Sequence, residues 1–123
     1  MVVFDKQAYR FMVFENTPVN QVIGLVNASN PRQGSAESDI VYWLDANDEA
    51  TRVALDKFEI NFKTGELTLR DTVDRDAPSN ERLFKMRVFA RVRNSINMFN
   101  TSVPVVIEIY DVNGKTNANM AQF

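Results

Sequence analysis

The chain of 123 residues contains neither cysteine nor histidine. Without cysteine it can form no disulfide and offers no thiol nucleophile. Without histidine it lacks the commonest general base and the commonest transition-metal ligand. Glycine and proline occur only four times each, which excludes a collagen-like or low-complexity chain. The side-chain chemistry that remains is mainly that of carboxylates and basic groups.

Neither sign of charge dominates, and no long apolar run is present. Fourteen basic and sixteen acidic residues give a formal net charge of −2, so bulk charge provides no argument for a nucleic-acid or acidic-membrane partner. No apolar run approaches the roughly 20 residues that span a bilayer, and no signal peptide is visible after Met1. The length, with 45% apolar residues, predicts one domain with a two-layer core.

Alternation of apolar and polar residues dominates the chain. The clearest alternating segments are 9–13, 84–92 and 103–109. Because successive side chains of a strand point to opposite faces, we predict that these segments are half-buried strands. Weaker candidates are 21–28, 40–44, 57–61 and 66–69. About seven short strands separated by turn signals predict an all-β, seven-stranded antiparallel Greek-key sandwich of the immunoglobulin-like type.

Three connections between these segments carry local signals. The Lys-Thr-Gly-Glu sequence at 63–66 predicts a hairpin turn in which Gly65 takes a positive φ. The stretch 45–54 is polar and then mildly apolar, which indicates a short helical turn with Asp45 as its N-cap. Residues 30–39 contain proline and glycine and are expected to form a loop.

Short sequence phrases in a fixed order lie at the ends of the alternating segments or in the turns between them. They are Phe-Glu-Asn-Thr-Pro at 14–18, Phe-Glu-Ile-Asn-Phe-Lys-Thr-Gly-Glu-Leu at 58–67, Asp-Arg-Asp at 74–76 and Ile-Tyr-Asp-Val-Asn at 109–113. Together they resemble the phrases of the extracellular cadherin repeat, a calcium-linked adhesion domain. The resemblance implies a single cadherin-like repeat at 1–113, with a linker or tail at 114–123.

The resemblance also implies a calcium-binding edge at the C-terminal end of the domain, shared with the next repeat. The residues that it assigns to this edge are Glu15, Asp74, Asp76, Asp111 and Asn113. After Asn113 the chain departs from the family, because Gly114 and Lys115 stand where the family has Asp and Asn. Calcium takes about six to eight oxygen ligands, and its affinity follows their charge. Weak or partial calcium binding and a solvated acidic edge therefore both remain open.

The opposite end of the domain departs further from the family. There the family uses Ala-x-Asp-x-Asp and Ala-x-Asp phrases to receive calcium from the preceding domain. The corresponding positions of this chain hold Asn30, Arg32 and Val92, none of which is an aspartate. The resemblance therefore implies either a first repeat or an upper junction without calcium.

Two kinds of surface site are expected. Sequons at Asn27 and Asn100 indicate N-glycosylation, although the same tripeptides also occur as ordinary turns. The outward face of the third, sixth and seventh predicted strands interleaves arginine with aromatic residues, the types enriched at protein interfaces. Its candidate partner-binding residues are Trp43, Arg87, Phe89, Arg91 and Tyr110. The alternative is a solvated face whose long side chains cover their apolar neighbours.

The resemblance implies an extracellular, cell-surface module of a membrane-anchored adhesion or receptor ectodomain. Such a module would contact a protein partner and the neighbouring repeats, and it would meet the membrane only through its parent. The alternative is a stand-alone ligand-binding sandwich, for example for a toxin or a carbohydrate, without an adhesion role. An enzyme with Glu15 and Asp74 as paired acid and base is disfavoured, because both fit the calcium edge and nothing in the sequence indicates a cleft.

Overall fold

The computed structural model describes residues 2–30, 40–46, 51–75, 82–93 and 101–111. Its strands are β1 (Val3–Phe4), β2 (Tyr9–Phe14), β3 (Val22–Leu25), β4 (Ala28–Ser29), β5 (Ile40–Asp45), β6 (Phe58–Ile60), β7 (Glu66–Leu69), β8 (Leu83–Val92) and β9 (Thr101–Tyr110). One helical turn, α1 (Ala54–Lys57), lies between β5 and β6.

Two sheets form the two layers of a sandwich. The larger has the strand order β2-β9-β8-β5, and the smaller has the order β3-β7-β6. The two-residue strands β1 and β4 pair as a separate antiparallel ribbon. All pairs in the two sheets are antiparallel except β2 with β9, which run parallel. The prediction of an all-β immunoglobulin-like sandwich is confirmed, and its seven predicted strands are the seven longer strands observed.

The core is built from the inward residues of the alternating strands. In β8 and β9 the buried residues are Phe84, Met86, Val88, Ala90, Val105, Ile107 and Ile109. The smaller sheet contributes Phe58, whose ring meets Phe84 edge to face with 5.2 Å between centroids. Full burial of each such side chain stabilises the fold by about 1.5–3 kcal/mol, so this contact between Phe58 and Phe84 helps to hold the two sheets together.

The turn between β6 and β7 has the predicted conformation, with Gly65 at a φ of +82°. The side-chain oxygen of Asn61 accepts hydrogen bonds from the backbone N–H groups of Lys63 at 2.8 Å and Thr64 at 3.1 Å. The carbonyl of Gly65 accepts from the N–H of Val26 at 3.0 Å. The turn is therefore fixed both by its own residues and by the segment that follows β3.

The helical turn that the structure describes, α1, begins at the end of the stretch 45–54 for which the sequence predicts one. It begins after Val53, whose side chain makes no capping hydrogen bond. Asp45 is the last residue of β5, in register with Arg87 of β8, and its carboxylate accepts from the N–H of Ala46 at 2.8 Å. Residues 47–50, which an Asp45 cap would bind, lie outside the described residues, so Asp45 as a helix N-cap stays a prediction. The predicted loop at 30–39 lies, beyond Asn30, outside the described residues.

Two buried tyrosines hold the end of the sandwich where β1 pairs with β4. The Tyr9 hydroxyl donates to the carboxylate of Asp5 and accepts from the N–H of Asn27 at 3.2 Å. The Tyr42 hydroxyl accepts from the N–H of Ala28 at 2.9 Å. Burial raises the pKa of Tyr9 to about 12, so its hydroxyl remains protonated and able to donate at physiological pH.

Candidate functional site

The ends of β2 and β9 bring two predicted calcium ligands together. The parallel register places Phe14 beside Tyr110, and the N–H of Glu15 donates to the carbonyl of Tyr110 at 3.0 Å. Glu15 and Asp111 are therefore neighbours on adjacent strands at one end of the sandwich. Asp111 is only 7% exposed, whereas Glu15 is half-buried. A carboxylate taken this far out of water requires compensating polar groups or a cation.

The connection between β7 and β8 passes the same end of the domain. Arg75 lines a surface cavity of about 310 Å³ together with Tyr110 and Arg82. Its neighbour Asp74 is exposed. Asp74 therefore lies near the end of the domain at which β9 ends. The next residue, Arg75, places a positive charge beside it.

The described ranges contain three of the five predicted calcium ligands, Glu15, Asp74 and Asp111. The other two, Asp76 and Asn113, lie outside the described residues. In the ranges that are described, no three acidic side chains are grouped closely enough to hold a metal ion. The predicted ligand set remains a prediction, since its remaining members and the following domain would have to complete it.

Four of the five predicted partner-binding residues lie together on the outward face of the larger sheet. Trp43 of β5 is in register with Phe89 of β8, and their rings stack with 5.4 Å between centroids and 12° between planes. Arg87 and Arg91 flank Phe89 along β8, and Arg91 is half-buried. We define these four residues, Trp43, Arg87, Phe89 and Arg91, as the basic–aromatic face.

The fifth predicted residue, Tyr110, lies toward the other edge of the same sheet. Its ring meets Phe14 of β2 edge to face with 6.3 Å between centroids, and its hydroxyl donates to Glu108 at 3.4 Å. Glu108 forms an ion pair with Arg10 at 2.9 Å. Because β2 and β5 are the opposite edges of the sheet, Tyr110 belongs to a different surface cluster from the basic–aromatic face.

Sequence reasoning missed one residue that organises the basic–aromatic face. Ser102 of β9 accepts from the Arg87 Nε at 3.0 Å through its hydroxyl and from the Arg87 Nη2 at 3.1 Å through its carbonyl. In the sequence this serine appears only as the last residue of the sequon at Asn100, and its role beside Arg87 depends on the register between β8 and β9. Ser102 thereby holds the guanidinium of Arg87 in one orientation.

The sequon at Asn27 precedes the short strand β4, and its side chain is exposed. Both hydrogen-bonding groups of its backbone contact the hydroxyl of Tyr9, the N–H at 3.2 Å and the carbonyl at 3.1 Å. The side-chain amide therefore remains accessible while the backbone is held. Asn100 lies outside the described residues, and glycosylation at both positions remains a prediction.

The two-sheet sandwich with β2 and β9 parallel belongs to the immunoglobulin-like class, the fold that cadherin extracellular domains also have. A family model described as the cadherin-99C-like, immunoglobulin-like domain matches residues 2–113. The chain therefore belongs to this family. The suspected resemblance to cadherin repeats is confirmed.

Individual relatives agree with the family assignment. The chain is 32% identical to human cadherin-8 over 111 residues, which are 90% of the chain and 13% of cadherin-8. It is 33% identical to human protocadherin Fat 4 over 88 residues, which are 72% of the chain and 2% of that protein. The chain thus spans about an eighth of the length of cadherin-8.

Solved structures show the same fold. The protocadherin gammaB4 extracellular domain superposes with a TM-score of 0.76 at 26% identity, covering 91% of the chain and 17% of that structure. Drosophila N-cadherin EC1-3 has a TM-score of 0.75 at 22% identity, covering 90% of the chain and 34% of that structure. Cadherin repeats are adhesion modules rather than enzymes, and they occur in membrane-anchored adhesion proteins. No helix in the described part of the chain has the length and apolar character to cross a membrane.

Proposed function

We propose that the chain is an extracellular module of a membrane-anchored adhesion or receptor ectodomain. In this proposal it contacts a protein partner and joins neighbouring repeats, with weak calcium binding at its C-terminal edge. The observation that carries the proposal is that Glu15 and Asp111 are neighbours. The N–H of Glu15 donates to the carbonyl of Tyr110 at 3.0 Å, and Tyr110 directly precedes Asp111. Membership of the cadherin family supports it.

The proposed calcium ligands are Glu15, Asp74, Asp76, Asp111 and an oxygen of Asn113. Calcium affinity depends on the number of charged oxygen ligands and on the rigidity of the site. Gly114 provides no carboxylate where the family has Asp, and Lys115 adds a positive charge in the next position. The isolated domain therefore offers an incomplete site, which a following repeat would have to complete.

Calorimetric titration of the isolated domain is expected to show a calcium dissociation constant weaker than about 1 mM, the weak end of extracellular modules. With the following repeat attached, Gly114→Asp should tighten calcium binding because it restores a carboxylate at the edge. Thr64→Asp is the matched control, since it adds the same charge at the exposed β6–β7 turn. Micromolar binding by the isolated domain, or equal effects of the two substitutions, would contradict the prediction.

Adhesion itself is tested with cells that display the parent ectodomain. Cells carrying the complete ectodomain are expected to aggregate, either with one another or with cells that display the partner. Deletion of this domain should abolish the aggregation, and sedimentation of the isolated chain reports whether it self-associates. Unchanged aggregation after the deletion would reject the adhesion role. A stand-alone ligand-binding sandwich would instead bind its ligand equally well without the flanking repeats.

The partner contact is assigned to the basic–aromatic face. Tryptophan and arginine are the residue types that most often dominate the energy of protein interfaces. Here the ring of Trp43 and the guanidinium of Arg87 are held in place by Phe89 and Ser102 respectively. Side chains that are already ordered lose less conformational entropy when a partner binds, which favours this part of the surface as the contact.

A further inference from the structure

The outward side of β8, together with the residue that follows its end, carries a row of cations. The members of this row are Lys85, Arg87, Arg91 and Arg93. The ion pairs that join described residues elsewhere include Arg10 with Glu108 and Lys57 with Asp71. None of these four cations has a described carboxylate within ion-pair distance. A cluster of one sign of charge attracts anions and favours a partner of opposite charge.

The positive charge is local to this strand. From position 82 to position 107 the sequence contains five basic residues and no acidic residue, although the whole chain has a net charge of −2. Asp45 is the described carboxylate in register with Arg87, but it accepts from the N–H of Ala46 and forms no ion pair with that arginine. The basic row is thus a feature of one surface and not of overall composition.

Arg87 is oriented before any partner arrives. Two of its N–H groups are bound to Ser102, at 3.0 and 3.1 Å. A guanidinium has five N–H donors in a planar fork, and no hydrogen bond to another described residue occupies the other three. A fixed fork of this kind matches the two oxygens of a carboxylate.

The aromatic pair indicates which kind of anion fits. Neighbouring strands lie about 4.8 Å apart, and the Trp43 and Phe89 rings are 5.4 Å apart and nearly parallel. Because the two rings stack, each covers one face of the other and leaves its rim for other contacts. A rim adds apolar contact for protein side chains, whereas a sugar ring stacks on an open aromatic face. The pair favours a protein over a sulfated polysaccharide.

We infer that the basic–aromatic face binds a protein surface rich in Asp and Glu. Carboxylates of that surface pair with the free N–H groups of Arg87 and with Arg91, while an apolar side chain rests on the rims of Trp43 and Phe89. This inference rests on the proposed function, because it names the chemistry of the partner for the same face.

The test uses charge reversal and a defined probe. Arg87→Glu/Arg91→Glu is compared with Lys6→Glu/Arg52→Glu, which changes the net charge equally at two exposed positions outside this face. The probe is a random copolymer of glutamate and tyrosine, with binding followed by biolayer interferometry. We expect the Arg87/Arg91 variant to bind about ten-fold or more weakly than the parent. The control should stay within about two-fold, because exposed charges far from the contact are screened by salt.

Three further measurements keep the test independent of folding. Trp43→Ala should weaken binding of the copolymer, and Arg91→Glu alone should do the same with the parent's melting temperature retained. Raising the salt from about 50 to about 500 mM should weaken binding by the unaltered chain, because the Debye length falls steeply over this range. No measurable binding of the copolymer, or equal losses in the reversal and control variants, would overturn the inference.

Other ligands of the basic–aromatic face would give different results in these experiments. Tighter binding of a heparin dodecasaccharide than of the copolymer would replace the acidic protein with a sulfated glycan. Self-association that depends on Arg87 and Arg91 would replace it with a second copy of the chain. Cell aggregation that survives the Arg87/Arg91 reversal but not deletion of the domain would reject this inference and leave the proposed function standing. Aggregation that survives the deletion would reject the proposed function itself.

Discussion

Replacing Ile107 by alanine is expected to lower the free energy of unfolding by about 2–5 kcal/mol. Ile107 is completely buried and lies in β9, the strand that pairs with β2 on one side and β8 on the other. The substitution removes apolar contacts and leaves a cavity that two paired neighbours prevent from closing. A packed interior of this kind relaxes only in part.

Urea unfolding followed by tryptophan fluorescence measures this effect. Val106→Ala is the matched control, because Val106 immediately precedes Ile107 in the same strand and is only half-buried on the outward side. The control should cost less than about 1 kcal/mol. Equal losses from the two substitutions would mean that the sandwich does not bury alternate residues of β9 as described.

Gly65→Ala is expected to destabilise the domain by about 3 kcal/mol, which combines the cost of a left-handed backbone with steric overlap. Gly65 has a φ of +82°, where a side chain is strained. An added Cβ would also fall well inside van der Waals contact with the carbonyl oxygen of Val26. This oxygen is a backbone atom, so relief of the overlap requires the backbone at Val26 to move. Such a movement would disturb the 3.0 Å hydrogen bond from the N–H of Val26 to the carbonyl of Gly65.

Thermal and urea unfolding of Gly65→Ala, with Thr64→Ala as control, provide the measurement. Thr64 occupies the same turn, and its hydroxyl accepts from the N–H of Glu66 at 3.2 Å. Because that hydrogen bond is exposed, its loss should cost about 0.5–1.5 kcal/mol. A Gly65→Ala protein as stable as the control would show that the turn tolerates another conformation.

Much of the fold could be predicted from the sequence. The seven longer strands follow from alternation, which is a local property of an extended chain. The strands β1 and β4 contain two residues each, too few to show a period. The polar stretch 45–54 indicated a helical turn, and the described turn α1 begins at its last residue, but the sequence did not show that β5 extends through Asp45 by pairing with β8.

The sequence could predict the individual residues of the candidate sites but not how they are arranged. Glu15 and Asp111 could be assigned to one edge through the family resemblance, but their direct apposition depends on the parallel pairing of β2 with β9. Trp43 and Phe89 were both expected to face outward, whereas their stacking depends on the register between β5 and β8. Tyr110 was grouped with them by its outward position, and the structure places it beside Phe14 instead.

The sequence by itself determined the all-β class, the inward and outward residues of each long strand and the turn that requires Gly65. These properties arise from backbone geometry over a few consecutive residues. The tertiary structure decided which outward residues are neighbours, including the pairing of Arg10 with Glu108 across 98 positions of sequence and the hold of Ser102 on Arg87. Strand order and register arise from the packing of the whole core, so no single segment encodes them.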